Sequence, residues 1–229
     1  TGEVEINSTD FPDEKFREYL LNKFDGDSDG KIAIAKVIEI DVSDRTDITD
    51  LKGVEKFTAL RFLHCDNTGI TALNVSQNTE LEKLYCYNTG IQSLDVSQNR
   101  LLQVLECSNT GIQTLDVSKI TALTYLDCSG TRITALDVSK NTQLKTLYCD
   151  NTGITALNVS KNIKLKTLYC SSTEILSLDV SKSPDLENLD TRYTNLAYLD
   201  WGTADLSTWY KTSSTIDLTV NGDTFDITK

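Results

Sequence analysis

A 21-residue period runs through most of the chain and restricts it to one kind of architecture. Leu63, Leu84, Leu105, Leu126, Leu147, Leu168 and Leu189 recur at that step. Cys65, Cys86, Cys107, Cys128, Cys149 and Cys170 follow the same step, with Thr191 where a seventh cysteine would stand. Thr68, Thr89, Thr110, Thr131, Thr152, Thr173 and Thr194 form a third register, and Ile70, Ile91, Ile112, Ile133, Ile154, Ile175 and Leu196 a fourth. The units carry no insertion. One supersecondary unit is therefore repeated, and stacking of such units is expected.

Alternation within a unit sets its geometry. In the stretch 144–154, Leu147 and Cys149 point to one face of a short strand, and Thr146, Tyr148 and Asp150 to the other. Leu157 and Val159 return toward the same interior, with Asn158 outward. A degenerate earlier unit starts at Val37, Ile40 and Val42 and continues through Ile48, Leu51, Val54, Phe57 and Leu60. Parallel strands of successive coils should lie about 4.8 Å apart. The apolar side chains of one coil bury too little surface to offset the entropy of ordering its backbone, so no coil folds alone.

The polar registers read as structural. The threonines are expected to hydrogen-bond turn backbone between neighbouring coils, and Ser76, Ser97, Ser118, Ser139, Ser160 and Ser181 to do the same on the opposite side. Asp95, Asp116, Asp137 and Asp179 fit Asx turns, accepting the backbone N–H two residues on. The cysteines occupy leucine-like inward positions. In-register parallel strands send their Cβ vectors side by side, not toward one another. Free buried thiols are therefore expected, and neither disulfides nor a metal site.

A stack exposes its core at both ends and needs closing. Pro12, Asp13 and Glu14 are a helix-start signal, and Phe16, Leu20 and Phe24 make one apolar face, so residues 10–24 are read as the N-terminal helical cap. After Trp201 the period is lost. Residues 216–227 alternate around Asn221-Gly222, a β-hairpin signal, and Trp201, Trp209 and Phe225 are placed to cover the last coil. The expected division is a helical cap over 1–36, repeats over 37–201 and a hairpin cap over 202–229.

The helix is followed by Asp25, Asp27, Asp29, Gly30 and Lys31, the first part of an EF-hand loop. Positions 9 and 12 of that loop are Ala33 and Lys36, not a water-holding group and a bidentate glutamate. Glu39 or water would have to complete the shell. A calcium site at Asp25, Asp27 and Asp29 and a relic acidic turn both fit; no cofactor is required for the fold.

The net charge is −12, from 34 acidic and 22 basic residues, which disfavours nucleic acid and anionic lipid as partners. No apolar run approaches the roughly 20 residues of a membrane span. The chain lacks methionine altogether and reads as a processed product starting at Thr1. His64 and Cys65 are adjacent, but alternation puts them on opposite faces, so they do not form a nucleophile–base pair. Glu106 and Asp127 stand on neighbouring strands, which leaves a carboxylate-dependent hydrolase as one alternative. Function is expected on the outward strand positions. There Phe62, His64, Tyr85, Tyr87, Glu106, Tyr125, Asp127, Tyr148 and Tyr169 are the candidate ligand-binding residues, and aromatic side chains with polar tips suit recognition surfaces.

The repeat unit, with leucines at 144 and 147, Cys149, Asn151 and Thr152, and its return leg of Leu136, Asp137, Val138, Ser139, Lys140 and Asn141, resembles the leucine-rich-repeat pattern. Together with the segment Phe11–Leu20 and its acidic loop, it resembles surface-exported leucine-rich-repeat proteins of gut bacteria related to the internalin-like group. That resemblance implies an α/β-type solenoid coiled right-handedly, with parallel strands on the concave face. It also implies an extracellular or cell-surface location and an adhesion-type protein partner. A glycan partner and a purely structural spacer in a larger surface protein are the alternatives.

Overall fold

The structure is a computed structural model. It describes residues 2–204 and 206–211, and the backbone of 217–220 and 223–226. The chain starts with β1 (Glu3–Glu5), α1 (Glu14–Phe24) and β2 (Lys31–Ala33), the two strands pairing antiparallel. One short strand then follows per coil: β3 (Glu39–Asp41), β4 (Phe62–His64), β5 (Lys83–Tyr85), β6 (Val104–Glu106), β7 (Tyr125–Asp127), β8 (Thr146–Tyr148) and β9 (Thr167–Tyr169). The last coils contribute β10 (Ser177–Asp179), β11 (Asn188–Asp190), β12 (Tyr198–Asp200) and β13 (Thr208–Tyr210), followed by β14 (Asp217–Val220) and β15 (Asp223–Asp226).

Among the described residues these strands form one nine-stranded sheet, β3 to β9 followed by β11 and β13, in which all neighbours are parallel. Each leucine pairs with the leucine one repeat away, as Leu84 does with Leu105 and Leu147 with Leu168. A one-residue slip would turn every such leucine outward, so the repeat itself pins the register. The return legs of the last coils make a second sheet, β10-β12-β14-β15, parallel except at β14-β15. The expected hairpin is thus present in its two strands; its turn at Asn221-Gly222 and the side chain of Phe225 lie outside the described residues. Trp201 packs edge-on against Trp209, ring centroids 5.5 Å apart.

The sheet runs one strand past position 201. Thr208–Tyr210 pairs with Asn188–Asp190 at a step of 20, not 21, with Trp209 opposite Leu189. The shortened step hides this coil from a search at fixed period.

The interior is one continuous core in which the leucine and cysteine registers are fully buried. All six cysteines are free thiols, and burial pushes each thiol pKa well up, leaving the group neutral and inert. A second inward register joins coil to coil by hydrogen bonds. Asn78, Asn99, Asn141 and Asn162 are fully buried. Each Nδ2 donates to two backbone carbonyls of the preceding coil, as Asn162 does to Val138 at 3.0 Å and Asn141 at 2.9 Å. Ile120 interrupts this file, and Ser183 ends it with Oγ donating to the Asn162 carbonyl at 3.2 Å.

The threonine register works differently from the sequence expectation. Thr68, Thr89, Thr110, Thr131, Thr152 and Thr173 donate to the carbonyl of the cysteine three residues back, at 2.6–2.8 Å, within their own coil. The cysteine N–H is already committed to the next coil, as Cys65 N is to the Tyr85 carbonyl at 2.9 Å. Its carbonyl lies where the chain turns out of the strand, and the threonine hydroxyl satisfies it there. Asx turns form as expected, with Ser97, Ser118, Ser139 and Ser181 N–H groups on Asp95, Asp116, Asp137 and Asp179. The serine hydroxyls bond the same carboxylates and do not reach a neighbouring coil.

At the N-terminal end, α1 lays Phe16 and Leu20 against the first coil, and Phe11 packs on Phe57 with centroids 5.9 Å apart. Gly53, at φ 101°, leaves room for the Phe11 ring, which any Cβ there would strike. Asp13 fastens helix to coil. Its Oδ1 caps α1 by accepting Phe16 N–H at 2.9 Å, and its Oδ2 accepts the N–H groups of Thr49 and Asp50 at 2.8 and 3.2 Å. Burial opposes the charge, but the amides of Thr49, Phe16 and Asp50 outweigh it and hold the Asp13 pKa below its ordinary value. The folded form therefore prefers the ionised carboxylate, and its contribution is present at neutral pH and lost as pH falls through the carboxylate range. Asp13→Ala should cost about 1–2 kcal/mol at pH 7 in urea unfolding, with the difference from wild type shrinking toward pH 3; a pH-independent difference would contradict the charge assignment.

Candidate functional site

The nine-stranded sheet has one face in the core and one open, and strand alternation decides what the open face carries. Its central column runs in register through His64, Tyr85, Glu106, Asp127, Tyr148, Tyr169 and Asp190, and on to Tyr210. Every candidate ligand-binding residue from the sequence lies on this face. Phe62, His64, Tyr85, Glu106, Tyr125, Asp127, Tyr148 and Tyr169 sit within strands, and Tyr87 two residues past β5. All are half-buried, because neighbours about 4.8 Å apart cover one another.

The aromatic side chains pack into runs. His64 stacks on Tyr85 at 4.6 Å with the rings nearly parallel. Tyr125, Tyr148, Tyr169 and Tyr210 form an edge-to-face series with centroids 5.7, 5.0 and 6.2 Å apart. Edge-to-face contact fixes ring orientation, so these tyrosines form a rigid surface at little further entropy cost on binding. Phe62 begins the face with Arg61 and Lys83 over its ring, at 5.4 and 5.8 Å. His64 also approaches Glu39, Nε2 to Oε1 3.9 Å. Cys65 beside it is buried on the other side of the sheet, so the two do not pair.

Between the aromatic runs lies an acidic step. Glu106 and Asp127 are direct partners on β6 and β7. Burial raises the Glu106 pKa above its ordinary 4.5, and the charges of Asp127 and Asp66 add to the rise, while a hydrogen bond from Tyr125 works against it. The same surroundings push the Tyr85 and Tyr125 phenols up, burial first and the acids second. Asp66 is almost fully buried and accepts the Tyr87 hydroxyl and the Asn67 amide. Asp127 accepts the N–H of Ser129 at 2.9 Å.

Toward the C-terminal end the face carries an assembly that sequence reasoning missed. Asp190, in line with the outward column, is only 2% exposed. Arg192 covers it, with Nε and Nη2 contacts of 2.6–3.2 Å to both carboxylate oxygens, and lies 4.9 Å over the Tyr210 ring. The signal was the run Thr208, Trp209, Tyr210, whose alternation matches Asn188, Leu189, Asp190 once the shortened step is allowed. Asp127, Ser129, Asp150, Tyr169, Asp190 and Arg192 line a shallow hollow on the same face.

The acidic loop lies apart from this face. Asp25, Asp27 and Asp29 bring carboxylate oxygens within 4.8 Å of one another. The Asp25 carboxylate accepts the N–H groups of Asp29 and Gly30, at 3.2 and 3.0 Å, and Asp29 accepts that of Lys31 at 2.8 Å. The loop is followed by β2 and a single 3-10 turn at Ile34–Lys36, where an EF-hand would have its second helix. Glu39, the candidate for completing the shell, faces His64.

No protein-family model matches the chain, and no curated protein does. Solved structures do. The functional domain of InlJ from Listeria monocytogenes, described as including a cysteine ladder, matches at 26% identity with a TM-score of 0.54, over 93% of this chain and 62% of that one. A leucine-rich-repeat protein of Leptospira interrogans matches at 17% identity and a TM-score of 0.61, over 76% and 53%. Internalin C2 from Listeria monocytogenes matches at 15% identity and a TM-score of 0.59, over 92% and 97%. This chain thus spans less than two thirds of the first two. The last two likenesses carry the fold alone.

The raised Glu106 pKa has a definite sign. The fold holds the protonated form better than the unfolded chain does, so stability falls as pH rises above the ordinary carboxylate value. Glu106→Gln keeps an acceptor for Tyr125 and should raise the melting temperature at pH 7 but leave it unchanged below pH 4. A lower melting temperature at pH 7 would mean that the acidic step is not under repulsion.

Proposed function

We propose that this internalin-like leucine-rich-repeat solenoid is a secreted or surface-anchored binding module that recognises a protein through the concave, open face of its sheet. In this reading residues 1–36 and 202–229 close the ends of the repeat region and present that face. The observation that carries the proposal is the run Tyr125, Tyr148, Tyr169 and Tyr210, whose rings fix one another while still reaching solvent. Rings that served only the fold would face the core, which leucine and cysteine already fill. Preordered aromatic surface with polar tips suits protein recognition, and a glycan is the second choice of partner. The acidic balance of the chain argues against nucleic acid. Among the described residues no helix is long and apolar enough to cross a membrane.

The reading assigns no catalysis. Glu106 and Asp127 lie side by side on an open sheet between aromatic rings, an arrangement suited to contact with a large partner. It requires no cofactor either, since the loop at Asp25–Lys31 closes on its own amides. EDTA should then leave the melting temperature unchanged; a fall reversed by calcium would make the ion structural.

The binding proposal is tested by probing an array of extracellular proteins and glycans with the wild-type chain and with Tyr85→Ala/Tyr148→Ala/Tyr169→Ala. A specific protein interaction should weaken by about a hundredfold, since aromatic anchors at an interface are each worth 1 kcal/mol or more, and circular dichroism should stay unchanged. Equal binding by a folded triple variant would move the site off this face, and binding to glycans alone would replace the protein partner.

A further inference from the structure

The open face repeats one arrangement, an acid between aromatic rings, with an arginine on it in one place and none in another. At the C-terminal end an acid, Asp190, stands in the central column between Tyr169 and Tyr210, whose rings meet across it at 6.2 Å. Arg192 from the adjoining column fills the gap. Its guanidinium holds both carboxylate oxygens and lies on the Tyr210 ring. Further up the same column, Tyr85, Glu106, Asp127 and Tyr148 are consecutive in-register neighbours, so acids again stand between aromatic rings. The residues corresponding to Arg192 in those coils are Ser108 and Ser129, which are too short and carry no charge. Among the described residues neither Glu106 nor Asp127 forms an ion pair. The nearby cation of the face, Lys83, lies over Phe62.

We infer that the Glu106–Asp127 step is the seat for an arginine of the partner protein, whose guanidinium bridges the two carboxylates between the rings of Tyr85 and Tyr148. This deepens the binding reading above and rests on it. The chemistry is specific. Two carboxylates side by side repel each other, and this repulsion adds to burial in raising the Glu106 pKa. A cation placed between them removes the repulsion. A guanidinium does so with a planar fork that reaches two acceptors and still stacks on aromatic rings; an ammonium is a point charge that does neither as well. The Arg192 assembly shows a guanidinium forked on one carboxylate of this column while lying on a neighbouring ring. The net charge of −12 attracts a basic segment at long range, but the two acids set where its arginine docks.

The test uses an array of nonapeptides with random flanks and a fixed central residue, either arginine, lysine, citrulline or glutamine, probed with the whole chain. Citrulline keeps the planar shape and loses the charge. The wild type should favour central arginine over citrulline by about tenfold or more, with lysine between them. Glu106→Gln/Asp127→Asn should erase the preference. Glu80→Gln/Glu174→Gln, which removes two charges from turns away from the strand face, should keep it. Each alternative outcome overturns the inference: no peptide bound by the wild type, no preference for arginine, a preference that survives Glu106→Gln/Asp127→Asn, or one lost equally in the Glu80/Glu174 variant. Peptide binding without an arginine preference leaves the concave-face reading standing. That reading fails separately, on the three-tyrosine variant and the protein array.

Discussion

The structure depends on coils that cannot bury their own interiors. Each of the central coils presents a leucine, a cysteine and a few aliphatic side chains to a space closed only by the coil before and the coil after. Burial therefore scales with the number of neighbours, and stability becomes a sum over interfaces between adjacent coils. Two devices make those interfaces exact in register. Parallel strand pairing matches leucine to leucine. The buried asparagines donate to carbonyls of the preceding coil, where an unpaired carbonyl would be costly.

That constraint also shapes the open face of the sheet. Because every coil steps by the same amount, any outward position becomes a straight column, and column neighbours are near enough to pack or to repel. The same spacing that lets Tyr148 fix Tyr169 edge-on forces Glu106 and Asp127 together. Packed aromatic rungs and adjacent acids are two results of one geometry.

The repeat made the fold legible before any coordinates. The inward leucine, cysteine and isoleucine registers and the strands at the 21-residue step follow from period and alternation, the helix start follows from Pro12, Asp13 and Glu14, and each lies where expected. What escaped was set by contacts that a period does not encode. Thr68 and its equivalents look like links between coils, yet the nearest unsatisfied carbonyl is three residues back in the same chain. Asn141 was visible as part of the return leg, but its two carbonyl partners lie 21 and 24 residues away. Tyr210 was hidden by a one-residue change of step, and Arg192 by its place in a column otherwise made of serine, aspartate and Tyr87. The outward face was therefore readable as a set of columns, while the contacts along each column needed three dimensions.

Thiol reactivity tests the shared interior most directly. The cysteines form one inward file, unpaired and sealed by the coils on either side. Without any reductant, the native chain should therefore leave all six unreactive toward a thiol reagent, and unfolding should expose six free thiols in a single transition. Fast labelling of central cysteines such as Cys107 in the native state, or fewer than six free thiols after unfolding, would contradict the account.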